Sequence, residues 1–207
     1  MLKKISKKIV LLGLTALVGC SSFGLTMAYM TDGEDATNVV TLGNVSINLT
    51  ETDWKPENGK NILPRGTAAK NPEVTNTGSL DTWVFLEVTS PKKNIVTVDN
   101  STKKKNAAAN VEIFSFKANS DWELVNKTED NNNVYYTYGY KKILKTGAKT
   151  QSLFDSVSVV NYLEGSLDKN ETLSLDVKAE AIQWNAEKED AGLKKIYQDY
   201  LNEGSNS

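Results

Sequence analysis

Residues 80–89 read Leu-Asp-Thr-Trp-Val-Phe-Leu-Glu-Val-Thr, and the reading of this stretch decides the fold. In an extended chain Trp83 and Phe85 fall on one side, while Val84, Leu86 and Val88 fall on the other. A strand that is apolar on both faces has to be covered on both, which places it near the centre of a sheet. Pro91 is expected to end it.

Outward from this stretch the period stays at two. Leu173, Leu175, Val177, Ala179 and Ala181 alternate with Thr172, Ser174, Asp176, Lys178 and Glu180, the pattern of a half-buried strand. Gly43 to Thr50 alternates in the same way, with Val45, Ile47 and Leu49 on one side. Short strands are expected over Val111–Lys117, Trp122–Lys127, Val134–Tyr140 and Val157–Val160, with Asp130 to Asn133 closing a hairpin. Pro56, Asn58-Gly59, Pro64, Gly66 and Lys145-Thr146-Gly147 mark turns. Lys92 to Asn110 is polar, with a lysine run (103–105) and an alanine run (107–109), and reads as an inserted surface loop or short helix. The period then changes. In Ala186 to Asn202 the residues Leu193, Ile196, Tyr197, Tyr200 and Leu201 recur every three or four positions, one stripe of an amphipathic helix. The expected architecture is all-β: a jelly-roll-like β-sandwich over residues 43–203, with loop insertions and a short C-terminal helix, then a disordered tail at 204–207.

The first 28 residues read as a signal peptide. Lys3, Lys4, Lys7 and Lys8 form a basic start, Ile9 to Val18 an apolar core, and Thr26-Met27-Ala28 a small-residue cleavage site between Ala28 and Tyr29. Leu17-Val18-Gly19-Cys20 offers an alternative, a lipobox with lipid on Cys20. Cleavage after Ala28 keeps all 26 acidic residues and 20 of the 24 basic ones, a net charge of −6. That balance argues against nucleic acid as a partner. Membrane contact is expected only during export. Beyond the leader there is no cysteine, and the chain has no histidine at all, so the commonest general base and metal ligand are missing.

No phosphate loop, nucleophile elbow or zinc motif is present, and no catalytic residue is assigned. Asp32, Glu34 and Asp35 cluster loosely enough for calcium, although an EF-hand loop needs more ligands; no other cofactor or metal is expected. The row Tyr136, Tyr138, Tyr140 reads as a cross-strand ladder in a half-exposed sheet, or as a sugar-binding or assembly face.

Several stretches together resemble the TasA/camelysin/CotN family of Gram-positive bacteria. They are Ala28-Tyr29-Met30-Thr31-Asp32, Ala36-Thr37-Asn38 and Leu42-Gly43-Asn44-Val45-Ser46-Ile47-Asn48-Leu49-Thr50-Glu51, then Lys70 to Ser79, Val84 to Val88, Leu144 to Thr150 with Leu153-Phe154, and Val177 to Ala179 with Ala181 to Gln183. Met30 stands where the family has an aromatic residue, and Lys92 to Asn110 is extra. The resemblance implies a leader cut by a SipW-type signal peptidase, a jelly-roll sandwich, and a place in extracellular biofilm-matrix fibres. In such fibres the N-terminal segment of one subunit completes a sheet in the next, head to tail, with self or a related fibre subunit as partner. The segment 29–42 is then a flexible donor, with Thr37, Val39, Val40, Thr41, Leu42 and Val45 as candidate donor-strand residues. The simpler alternative is that Thr37 to Leu49 pairs within its own subunit. Camelysin-type members have been classed as metallopeptidases; without histidine, that activity is not carried over. A monomeric or lipid-anchored surface binding module remains the alternative to a fibre subunit. Either way the expected location is secreted, in the extracellular matrix or at the cell surface.

Overall fold

The computed structural model describes residues 31–33, 44–55, 63–167 and 173–204. The chain is mostly β, with sheets packed on one another and one short C-terminal helix. Its strands are β1 (Thr31–Gly33), β2 (Ile47–Glu51), β3 (Thr67–Ala69), β4 (Pro72–Asn76), β5 (Thr82–Val98), β6 (Lys105–Glu112), β7 (Phe114–Phe116), β8 (Trp122–Glu129), β9 (Asn133–Tyr140), β10 (Ser156–Val159) and β11 (Asp176–Gln183); helix α1 is Leu193–Gly204. The largest sheet runs β1-β11-β5-β9-β8, with β6 also paired to β5; β3-β10-β7 and β2-β4 form two smaller sheets.

The stretch 80–89 lies where its composition requires. β5 has antiparallel partners on both sides, β11 from Asp176↔Thr89 to Gln183↔Thr82 and β9 from Phe85↔Gly139 to Pro91↔Asn133. On one face Val84, Leu86 and Val88 join a single core with Ala68 of β3, Val74 of β4, Phe114 of β7, Val157 and Val159 of β10, and Leu153 and Phe154 from the loop before β10. On the other face Trp83 and Phe85 are buried, Ile182 is buried opposite Trp83, and Ile196 and Tyr197 of α1 are buried as well. The Phe85 and Tyr197 rings lie 5.0 Å apart. Gly139 makes this closeness possible, since a Cβ there would stand 3.0 Å from the Phe85 ring and 3.2 Å from Leu193.

Four expectations are corrected. Lys92–Asn110 is neither loop nor helix: it is the second half of β5 and most of β6, a hairpin closed at Asp99–Lys104 by the Asp99 N–H on the Lys104 carbonyl at 2.9 Å. Pro91 does not end β5. The Ile113 N–H donates to the Pro91 carbonyl at 2.9 Å, and the Val160 N–H reaches the Ile113 carbonyl at 2.8 Å, supplying the bond that Pro91 lacks the hydrogen to make. Val111–Lys117 is not one strand either, because at Ile113 the chain passes from β6, beside β5, to β7, beside β10. The tail is also divided. Ala186–Ala191 is a 3-10 segment capped by the Asn185 side chain, Gly192 at φ 76° breaks it, and α1 follows.

The expected hairpin is present: β8 and β9 pair from Trp122↔Tyr140 to Glu129↔Val134. Asp130 Oδ1 accepts the Asn132 and Asn133 N–H groups, both at 2.7 Å. These bonds hold its carboxyl below the usual range. The proposed signal peptide (1–28) and residues 205–207 lie outside the described residues.

Replacing Phe85 with alanine empties the space between β5 and α1. It should lower the unfolding free energy by about 3–5 kcal/mol in urea titration. Leu201→Ala, at an exposed position of the same helix, should change it by no more than about 0.5 kcal/mol.

Candidate strand-acceptor edge

β11 is bonded to β5 along its whole length, and on its other side β1 pairs with only three of its residues: Thr31↔Ile182, Asp32↔Ala181 and Gly33↔Glu180. From Asp176 to Ala179 that side of β11 has no strand partner among the described residues. In an antiparallel strand alternate residues turn their N–H and C=O groups to opposite sides. Among the described residues the Asp176–Ala179 edge thus presents main-chain donors and acceptors in line with the ladder that β1 begins. Beneath it Leu175, Ala179 and Ala181 are buried.

The chain re-enters the body at Asn44 and is pinned there. The Thr77 and Gly78 N–H groups both donate to the Ser46 carbonyl at 2.9 Å, and the Ser79 N–H donates to the Asn44 carbonyl at 2.9 Å. The Asn44 N–H returns a bond to Ser79 Oγ at 2.9 Å. Asn76 holds this turn from inside the protein. Its fully buried side chain donates to the Leu80 carbonyl at 2.8 Å and the Leu144 carbonyl at 3.0 Å, and accepts from the Gly78 N–H at 3.0 Å. A buried amide with all these groups matched fixes one local geometry. Gly78 is required by contact: a Cβ there would lie 2.3 Å from the Asn44 carbonyl oxygen and 2.7 Å from the Ser46 nitrogen.

Among the expected donor residues, Val45 lies inside this pinned stretch and is 4% exposed, so here it packs into its own chain. Thr37, Val39, Val40, Thr41 and Leu42 lie outside the described residues, as do Cys20, Ala28, Tyr29, Glu34 and Asp35. Asp32 is the middle residue of β1. Among the described residues no three acidic, cysteine or histidine side chains form a group able to hold a metal. The β1 pairing left no local sign in the sequence, because aspartate and glycine are poor strand formers.

The charge near the edge is uneven. Glu180 has its carboxyl pushed up, first by burial and then by Glu87, with Lys178 opposing. The tyrosine row does share one face, and it turns toward the core. Tyr140 is buried, whereas Tyr136 and Tyr138 are half-buried with ring centroids 6.4 Å apart. Phe116 meets both edge-on, Lys127 Nζ sits 4.9 Å from the Tyr136 ring, and the Tyr136 hydroxyl donates to Glu112 at 2.8 Å. Burial, then this bond, hold the Tyr136 hydroxyl far above its ordinary pKa. The Tyr136 ring is thus already engaged by neighbours within the chain.

Comparison of the chain with protein-family models, with characterised proteins and with solved structures finds no match.

Two outcomes follow. Gly78→Ala forces apart two backbones and should cost about 1–3 kcal/mol of stability in denaturant titration. Glu180 binds its proton more tightly folded than unfolded, so it favours the fold at low pH and costs stability as pH rises past the ordinary carboxylate range. Glu180→Gln should raise the melting midpoint at pH 7 by about 1–3 °C, a modest gain because solvent still reaches the group. The gain should fade toward pH 4, as scanning calorimetry at the two pH values would show.

Proposed function

We propose that this chain is a secreted structural protein, a subunit or accessory of an extracellular biofilm-matrix or cell-surface fibre. In this reading a SipW-type peptidase cuts after Ala28. The freed segment 29–42 of one copy then adds a strand to the β11 edge of the next copy or of a related fibre subunit. The observation that carries it is the pairing of Thr31–Gly33 with Glu180–Ile182, on an edge that has no other strand partner among the described residues. A tip that reaches this edge within one chain has the main-chain chemistry to reach it in a neighbour. The family resemblance of the sequence supports the same reading and adds the finer expectation of jelly-roll topology.

The proposed exchange draws on more than the tip. Thr-Asp-Gly brings little β propensity to the edge. Val39, Val40 and Leu42 lie a few residues further along. Each is worth about 1.5–3 kcal/mol when fully buried, against the cost of ordering the segment. A donated strand that seats these side chains gains apolar burial that Thr-Asp-Gly alone does not supply. Because donor and acceptor are different surfaces, the contact does not close and builds a filament.

Negative-stain microscopy of residues 29–207 is the test. Regular filaments are expected, and both deletion of 29–42 and the pair Val40→Asp, Leu42→Asp should abolish them. Particles that stay monodisperse at all concentrations, alone and with a related fibre subunit, would remove the fibre reading.

A further inference from the structure

The large sheet has three outer edges among the described residues, and each is finished differently. The β11 edge carries β1. The β8 edge is broken by an irregularity between Leu124 and Asn126 and exposes Glu123, Lys127 and Glu129. A kink and charges of this kind discourage a second strand. The β6 edge has no strand cover among the described residues and is uncharged between its end residues Lys105 and Glu112, with the Asn110 side chain donating to the Asn131 carbonyl at 2.7 Å. β6 pairs only with β5, residues 105–110 are exposed, and Asn106 to Val111 contains no charged residue and no proline.

The hydrogen bonds define what this edge offers. The bond from the Ile113 N–H to the Pro91 carbonyl sets the phase of the β5–β6 ladder, so Val111 and Ala109 turn their main-chain groups toward β5. Ala108, Asn110 and Glu112 turn theirs outward. One extra residue is accommodated at Asn106–Ala107, opposite the step from Val96 to Val98. It lies toward the hairpin tip, which leaves 108–112 as regular strand.

Charge says which partner fits. The tip carries Lys103, Lys104 and Lys105 against Asp99. Around the root stand Glu112, Glu129, Asp130 and Asp176 against Lys92, Lys93 and Lys127; Lys92 contacts Glu129 at 3.2 Å, Lys127 lies on the Tyr136 ring beside Glu112, and Lys92, Lys93 and Asp176 line one open cavity. The tip is net basic and the root net acidic. A second β6 running antiparallel to the first lays each tip beside the other's root. The chain is therefore complementary to itself along this edge.

We propose that the β6 edge is a homotypic contact, in which β6 of one copy pairs antiparallel with β6 of a second across a two-fold axis at Asn110. The outward groups of Ala108, Asn110 and Glu112 then meet those of Glu112, Asn110 and Ala108 in the second copy. Small side chains at Ala108 and Ala109 keep the approach open. This contact closes on itself, unlike head-to-tail strand donation, and it does not rest on the fibre reading. If both operate, it joins filaments side by side.

The chain from Tyr29 onward has no cysteine, so single-cysteine trapping is clean. Under mild oxidation Asn110→Cys should form disulfide dimers at least about tenfold faster than Thr128→Cys on the exposed β8 edge, and the rate should fall with added salt. The same preference should persist in a chain lacking residues 29–42, which has no strand to donate. In sedimentation experiments Asn110→Pro, which removes an outward N–H and keeps those of Ala109 and Val111 that bond β5, should abolish the dimer. Should that variant fail to fold, Lys103→Glu, Lys104→Glu and Lys105→Glu together, all in or beside the exposed turn, should weaken the dimer instead. Equal trapping at positions 110 and 128, or a dimer unchanged in the folded variant used, overturns the proposal.

Discussion

β5 is the constraint from which the rest of the structure follows. Its first half is apolar on both faces, and neither face can meet water without cost. Val84, Leu86 and Val88 need a second layer, which β3, β4, β7 and β10 supply. Trp83 and Phe85 need a different cover, and α1 lies over Phe85, with the Tyr197 ring 5.0 Å from it and Ile196 and Tyr197 buried. The helix is therefore part of the fold's closure. Gly139 on β9 reports the same constraint, since any side chain there would lift α1 off Phe85.

β5 also outruns its first partners. β11 ends opposite Thr89 and β9 opposite Pro91, yet the strand continues to Val98. The hydrogen bonds show how the hand-over works. The Lys92 N–H still donates to Asn132, beside β9, while the neighbouring Pro91 carbonyl faces the other way and accepts from Ile113. β6 thus succeeds β11 on one side of β5. On the other side residues 161–163 take over, through the Val98 and Leu163 N–H groups. The sheet gains an arm, and the arm adds an edge.

What the sequence made legible, and what it hid, has a physical pattern. The double-faced apolar run of Trp83 to Val88, the tail stripe of Leu193, Ile196 and Tyr197, and the Asp130–Asn133 turn were readable because each is a local signal. Amphipathic period and Asx chemistry act within a few residues. The arm was misread for the same reason. Alanine is the best helix former and lysine favours solvent, so Lys103 to Ala109 looked like anything but a strand. It is one because β5 stands beside it with unpaired main-chain groups, and tertiary pairing overrides weak propensity. Pro91 was misread because its local rule is sound, but the compensating donor, the Val160 N–H, lies far away in sequence. The acceptor edge was invisible for a related cause: whether a strand has one neighbour or two is a property of topology.

The pinned turn at Asn44–Ser46 marks where the chain joins the packed body. Three bonds between main-chain groups, one from the Asn44 N–H to Ser79 Oγ, and the buried Asn76 hold residues from Asn44 onward, with Val45 in its own chain. Ten residues, 34–43, separate this anchor from β1. Such a length spans at most about 35 Å, comparable to the width of a small domain. Under the proposed reading that length has to carry the tip either to its own β11 edge or to a neighbouring copy docked close by. On the proposed reading, what one copy could donate therefore ends before Asn44, because Val45 is buried in its own chain.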